Sequence, residues 1–129
     1  MSALSDTMEN TILNAMLRNT AYTGPATVYI GLNTASFADD GTGGTEISGN
    51  GYARQAMAFD AAVSGVSDNT SVVDFPTATG SWGVISHWGL FTASTSGTLM
   101  IHGSFSASKS IASGDILRIA AGELDITAA

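Results

Sequence analysis

The most constraining feature of this sequence is a pair of alternating apolar runs separated by a turn. Trp82–Phe91 and Thr98–Phe105 flank the stretch TASTSG, a pattern that predicts a β-hairpin. A symmetric turn places Val84, Ser86, Trp88 and Leu90 opposite Phe105, Gly103, Ile101 and Leu99, so that all the large side chains on this shared face are apolar. The same register places His87 opposite His102 on the other face.

Short strand-like segments fill most of the remaining chain. Turn-forming stretches rich in Gly, Ser and Asn separate them, and residues 33–51 and 63–70 are predicted loops. The other predicted strands are Val28–Leu32, Tyr52–Ala62, Ser71–Phe75, Lys109–Ile111, Asp115–Ala121 and Gly122–Thr127. About seven or eight short strands at this spacing predict a mainly β fold, an antiparallel β-sandwich or jelly-roll-like barrel.

One helix is predicted at the amino end. Met8, Ile12 and Met16 recur at helical spacing between Leu4 and Arg18, and Leu13 and Leu17 widen the apolar stripe. Ser5 or Asp6 can cap the first turn, and Gly24-Pro25 forbids continuation. We expect a helical arm over residues 1–22 and a single β-sandwich unit over 23–129. A Met-bearing stripe of this kind packs on the body or on a neighbouring subunit.

The charge balance narrows the classes of partner. Four basic residues against eleven acidic residues give a net charge of −7, which argues against nucleic acid because phosphate binding needs clustered Lys and Arg. The chain has no cysteine, so disulfides and thiolate metal sites are excluded. No run approaches the ~20 apolar residues of a membrane helix, and the amino end lacks the basic start of a secretory signal. We expect no nucleic-acid or membrane partner.

The low charge of the chain points to permanent contact with other molecules. Charged residues make up 12% of the chain, against an average of about 25%. Ser, Thr, Gly and Ala together supply half of all residues. A surface built from hydroxyls, methyls and backbone is typical of proteins that lie against copies of themselves or a partner, although a small-residue β-protein without a partner is the alternative.

No group of residues in the sequence predicts a catalytic site or a cofactor site. The His87/His102 pair lacks the third ligand that zinc needs, and it is retained as a hypothesis for a pH-dependent contact. The loop with Asp39, Asp40 and Glu46 does not match the spacing of a calcium or phosphate loop, although an ion or a basic partner there stays open. No G-x-S-x-G elbow is present, so we expect no enzyme, and Trp82 is a weak candidate for stacking a sugar.

Several segments resemble a widespread family of small tailed-phage virion proteins. Thr20–Leu32 is similar to the family's "TAYTPPATLYVGL", and Glu46–Arg54 to "E-x-SGGGYAR". Phe75–Gly83 with His87–Phe91 resembles "FPTATGSWG…THFGIF", and Lys109–Asp115 with Ala120–Gly122 resembles "SKTVASGD…FAAG". The chain is shorter than the family between Phe59 and Phe75.

The resemblance implies a structural role in a virion and no catalytic residues. Members are often labelled tail-fibre proteins, and similar small β-proteins serve as capsid cement or decoration proteins. The chain shows no repeats and no shaft-forming pattern, which favours a capsid cement protein that binds the major capsid protein and copies of itself as a dimer or trimer. A tail-fibre or receptor-binding module is the alternative. The candidate interface residues are Met8, Ile12, Met16, Asp39, Asp40, Glu46, His87 and His102.

Overall fold

The fold is built from nine strands and one helix in a computed structural model that describes residues 2–128. In chain order the elements are β1 (Ser2–Leu4), α1 (Asp6–Leu17), β2 (Val28–Asn33), β3 (Gln55–Met57), β4 (Val66–Asp68), β5 (Val73–Asp74), β6 (Gly83–Phe91), β7 (Leu99–Ile111), β8 (Arg118–Ile119) and β9 (Asp125–Thr127).

Three antiparallel sheets enclose the main core. Five strands form one sheet in the order β1-β7-β6-β2-β3, and β4-β9 and β5-β8 form two small sheets. Side chains from the large sheet, such as Ile30 and Trp88, join Ile119 and Leu124 from the other end of the chain in one buried cluster. The prediction of a mainly β, antiparallel sandwich-like fold with one amino-terminal helix is confirmed.

The β6–β7 hairpin forms as predicted, but its register over His87–Leu90 is displaced by two residues. Thr92 N–H bonds Thr98 O, so an odd number of residues forms the turn, and a bulge at Met100 adds a second displacement. Trp88 therefore pairs with Gly103 rather than Ile101. Over this stretch two displacements of one residue preserve the faces, because side chains alternate with a period of two. A further irregularity between Ile85 and His87 displaces the pairing again, so Ile85 is buried and Val84, predicted on the core face, is 52% exposed. Trp88 and Leu90 still point into the core.

The segment from 52 to 70 differs from its prediction. The strand expected over Tyr52–Ala62 is limited to β3, and the loop expected over 63–70 contains β4. The chain reverses at Ser64 and Gly65, whose φ angles of 53° and 79° give a tight turn. Residues on either side of this turn bond each other, as Asp60 N–H to Asp68 O does. A small hairpin therefore replaces the long strand.

Ser5 attaches the helix to the large sheet. The helix begins at Asp6, two residues after its predicted start at Leu4. The reason is that β1 pairs with β7 and brings Ser5 against that strand. Ser5 N–H bonds Met100 O at 2.8 Å, and its hydroxyl donates to Leu99 O at 2.7 Å. The same oxygen accepts from Met8 N–H, which makes Ser5 the N-cap. Asn19, with φ of 53°, follows the last turn.

Ser5→Ala is expected to destabilise the protein by about 1–2 kcal/mol, because it removes the N-cap and leaves the buried Leu99 carbonyl without its hydroxyl donor. Urea unfolding monitored by circular dichroism measures this loss. Ser108→Ala is the control, since Ser108 is exposed on β7. Equal midpoints for the two variants would contradict the role assigned to Ser5.

Candidate functional site

Two glycines form a flat area on the face of the large sheet that points away from the main core. Gly31 on β2 and Gly89 on β6 are directly opposed across the ladder. A Cβ atom on Gly31 would lie 2.8 Å from Glu46 Oε2, and one on Gly89 would lie 2.9 Å from the Phe37 ring. We call this pair the glycine floor. It lets side chains from distant loops lie directly on the sheet backbone.

A second, smaller apolar cluster covers the glycine floor. Phe37, Phe91 and Leu99 are all buried there, separately from the main core. Phe37 and Phe91 contact edge to face, with ring centroids 5.7 Å apart. The predicted polar loop 33–51 therefore supplies a buried aromatic anchor, and the large sheet is covered on both faces.

Glu46 and Arg54 form an ion pair over the same floor. Arg54 Nη2 donates to Glu46 Oε1 at 2.7 Å and Nε donates to Oε2 at 2.8 Å, so the pair is bidentate. Tyr52 Oη donates to Glu46 Oε2 at 2.7 Å and accepts from Leu32 N–H at 2.9 Å. Burial is the largest cause that raises the pKa of Tyr52 far above its usual value. The phenol therefore stays protonated and donates to the carboxylate.

Arg54 also connects this network to the β6–β7 turn. Its Nη1 donates to Ala93 O at 3.0 Å and to Ser96 O at 2.7 Å. The guanidinium lies 3.5 Å from the centroid of the Phe91 ring, and the side chain is only 9% exposed. Glu46, predicted as an interface residue, is thus engaged inside the protein.

The acidic residues of the loop have separate roles. Asp39 Oδ1 accepts from His102 Nε2 at 2.8 Å, and Asp39 O accepts from Asp6 N–H at 2.7 Å, so this residue joins the loop, the sheet and the helix. Asp40 is exposed and bonds Thr42 locally. The Thr42 hydroxyl, the largest cause, lowers the pKa of the Asp40 carboxyl.

The predicted pairing of His87 with His102 is wrong. His87 pairs with Ser104, and His102 pairs with Gly89, because of the displaced register. His87 Nδ1 bonds Ser86 Oγ at 2.7 Å. In residues 2–128, no three side chains of His, Cys, Asp or Glu are grouped as ligands of a metal ion.

The Trp82 side chain is also placed differently from its prediction. It is 4% exposed, and its Nε1 donates to Asn50 O at 2.9 Å. The ring packs edge to face on Tyr52 and Phe75. Trp82 is a core residue that is closed to a stacked sugar, and Trp88 is buried as predicted.

The helix, which carries three of the predicted interface residues, leaves apolar side chains exposed. Met8 is its buried residue and Ile12 is half-buried, whereas Met16 is 72% exposed. Leu13 and Leu17, which the sequence placed on the edge of the stripe, are 51% and 75% exposed. Beside the helix lies a groove of about 280 Å³, lined by apolar side chains that include Ile12, Tyr22, Phe59, Ile101 and Ile126. No helix within residues 2–128 is long and apolar enough to cross a membrane.

These features define a small β-sandwich-like protein with one amphipathic helix that leaves apolar surface exposed. Among protein families, residues 3–127 match the one described as podophage GP4 fiber I protein gp80. The chain belongs to this family of phage fibre proteins, and the resemblance to tailed-phage virion proteins is confirmed. Its role is therefore that of a structural virion protein. A search of curated proteins finds no match.

Gly31→Ala is expected to destabilise the protein by about 2 kcal/mol, because the new methyl group meets the Glu46 carboxylate, the Phe91 ring and the Tyr52 hydroxyl. Gly24→Ala is the matched control, since nothing lies within 4 Å of a Cβ atom there. Denaturant unfolding of both variants measures the difference. If the two substitutions cost the same, the glycine floor is not a packing constraint.

Arg54→Lys is expected to cost about 3 kcal/mol, because one ammonium group cannot replace the bidentate pair and the two carbonyl contacts. Arg118→Lys is the control: Arg118 also forms a bidentate pair, with Asp74, but its side chain is 66% exposed. We expect a cost within about 0.5 kcal/mol for that change. Thermal unfolding would contradict the account if Arg118→Lys lowered the midpoint as much as Arg54→Lys.

Proposed function

We propose that the chain is a non-catalytic structural subunit of a phage fibre, where it associates with further copies of itself. The single observation that carries this proposal is the match to a fibre protein family over residues 3–127. The exposed apolar helix face and the low charge of the chain support association. Contacts of modest strength are sufficient in a symmetric assembly, because many of them act together.

The proposed role is scaffolding rather than recognition of a sugar. A module that binds sugars by stacking presents accessible aromatic rings, and the sequence offered Trp82 for this purpose. That ring is enclosed between Tyr52 and Phe75. The network of Glu46, Arg54 and Tyr52 is likewise satisfied by partners within the chain. The polar groups of this site stabilise the fold and are not offered to a ligand.

A capsid cement protein is the second candidate. It is supported by the form of the body, in which strands from both ends of the chain close one core and no repeated unit extends into a shaft within residues 2–128. Such a body can bridge neighbouring capsid subunits, and the major capsid protein would then be the partner. The exposed Asp40 and the Asp39 carboxylate, which is 59% exposed, are available to a basic partner surface.

Antibody labelling of intact virions, combined with quantitative mass spectrometry of purified particles, tests the location. The fibre proposal predicts label on the tail appendages and a copy number that is a small multiple of the tail symmetry. Label over the whole capsid, with a copy number close to that of the major capsid protein, would replace the fibre proposal with the cement proposal. Virions that lack the protein are the control for the antibody.

A further inference from the structure

The dipeptide Asn50-Gly51 carries reactive groups that the structural role of the protein does not use. Asn50 is the only asparagine of the sequence that precedes a glycine. In such a pair the glycine nitrogen can attack the carboxamide carbon of the asparagine, because no Cβ atom shields that nitrogen. The new C–N bond closes a succinimide ring, and the carboxamide nitrogen leaves as ammonia with the proton of the glycine nitrogen. Water then opens the ring to aspartate or isoaspartate.

The dipeptide lies in an exposed turn. Tyr52 N–H bonds Gly49 O at 3.0 Å, which closes a β-turn around Asn50 and Gly51. The φ angles of these two central residues are 51° and 81°, and positive values at both positions are typical of a type I′ turn. Asn50 is exposed, so the water that opens the ring has direct access. The reaction therefore depends on whether the glycine nitrogen and the carboxamide carbon can meet.

The attacking nitrogen is held in place through its own peptide group. Asn50 O accepts from Trp82 Nε1 at 2.9 Å and from Thr79 N–H at 3.0 Å. A peptide group is planar, so fixing this oxygen also fixes the nitrogen of Gly51. The Trp82 ring is only 4% exposed and packs in the core, so its N–H is a rigid donor. The Gly51 nitrogen cannot rotate toward the side chain while both bonds remain.

The carboxamide that would be attacked is held by the same segment. Asn50 Nδ2 donates to Ser81 O at 3.1 Å. The group lies directly on Gly80, where a Cβ atom would be 2.7 Å from Asn50 Oδ1 and 2.8 Å from Cγ. We call residues 79–82 the clamp, because they bind both the carboxamide of Asn50 and the peptide group that contains the Gly51 nitrogen. The two reacting groups can approach each other only if the clamp opens.

We propose that Asn50 is a site of spontaneous deamidation that the clamp protects: its carboxamide reacts when residues 79–82 release it and is stable while they hold it. Local opening of this kind occurs without global unfolding. An aspartate product places a carboxylate against Ser81 O, where two acceptors then face each other without a donor. An isoaspartate product lengthens the main chain at the carbonyl that binds Trp82. Either product prevents the clamp from closing again, so the modification is a permanent record of its opening.

The unsubstituted protein provides the first test. Folded protein and protein unfolded in guanidinium are incubated at the same neutral pH and temperature, and mass spectrometry of peptide digests counts the products at each asparagine. We expect deamidation of Asn50 to be at least about tenfold slower in the folded protein. Asn19 is the internal control, because it is also exposed, with φ of 53°, but precedes Thr20 and should stay intact in both samples. Equal rates at Asn50 in the two samples, or an unfolded chain that stays intact at Asn50, would overturn the proposal.

Gly80→Ala tests the clamp itself. The new methyl group displaces the end of the Asn50 side chain, so the folded variant should deamidate at Asn50 at least about threefold faster than the parent. Ser5→Ala is the control, since it lowers the stability of the whole protein without touching the clamp and should deamidate at the parent rate. Circular dichroism establishes that each variant is folded during the incubation. A parent rate in folded Gly80→Ala, or an equal acceleration in Ser5→Ala, would show that the clamp does not protect Asn50.

Discussion

The close approach of side chains to the bare backbone at Gly31 and Gly89 is the constraint on which the structure depends. A Cβ atom on either residue would occupy space that Glu46, Phe37 and Phe91 now fill. Because this space is free, the loop between β2 and β3 lies on the sheet as a second layer. Arg54 then fixes that layer to the β6–β7 turn through its carbonyl contacts. A long polar segment thereby becomes part of the folded body.

Most of the few basic residues of the chain form ion pairs within the folded body. Two of its four basic residues, Arg54 and Arg118, form bidentate pairs within the chain, and Lys109 lies 3.7 Å from Glu123. These ion pairs thus connect loops and strand ends to one another. The helix, which Ser5 anchors at its first turn, leaves aliphatic side chains exposed, and we propose that they contact other copies. A structural protein of a phage virion is stabilised by such contacts when many copies are held together.

The sequence predicted the class of fold because period-two alternation indicates which face of a strand is buried, and turn residues mark where strands end. It also identified the apolar helix stripe and the core position of Trp88. It could not predict the register of β6–β7, because the alternating pattern does not show the length of the turn or the irregularities at Met100 and between Ile85 and His87. The pairing of His87 with His102 was wrong for the same reason. The partners of Glu46 were missed because Arg54 and Gly31 come together only in three dimensions, although the segment from Glu46 to Arg54 contained both charges.

The central proposal is that the exposed face of the helix contacts another copy while the body is complete in itself. Amide hydrogen exchange, measured on dilute and concentrated protein, reads both halves of this claim at once. The account predicts that exchange slows with concentration in residues 6–17, whereas the amides of β2 and β6 around the glycine floor keep their rates. Unchanged exchange in α1, or new protection confined to the β5–β8 end of the body, would contradict it.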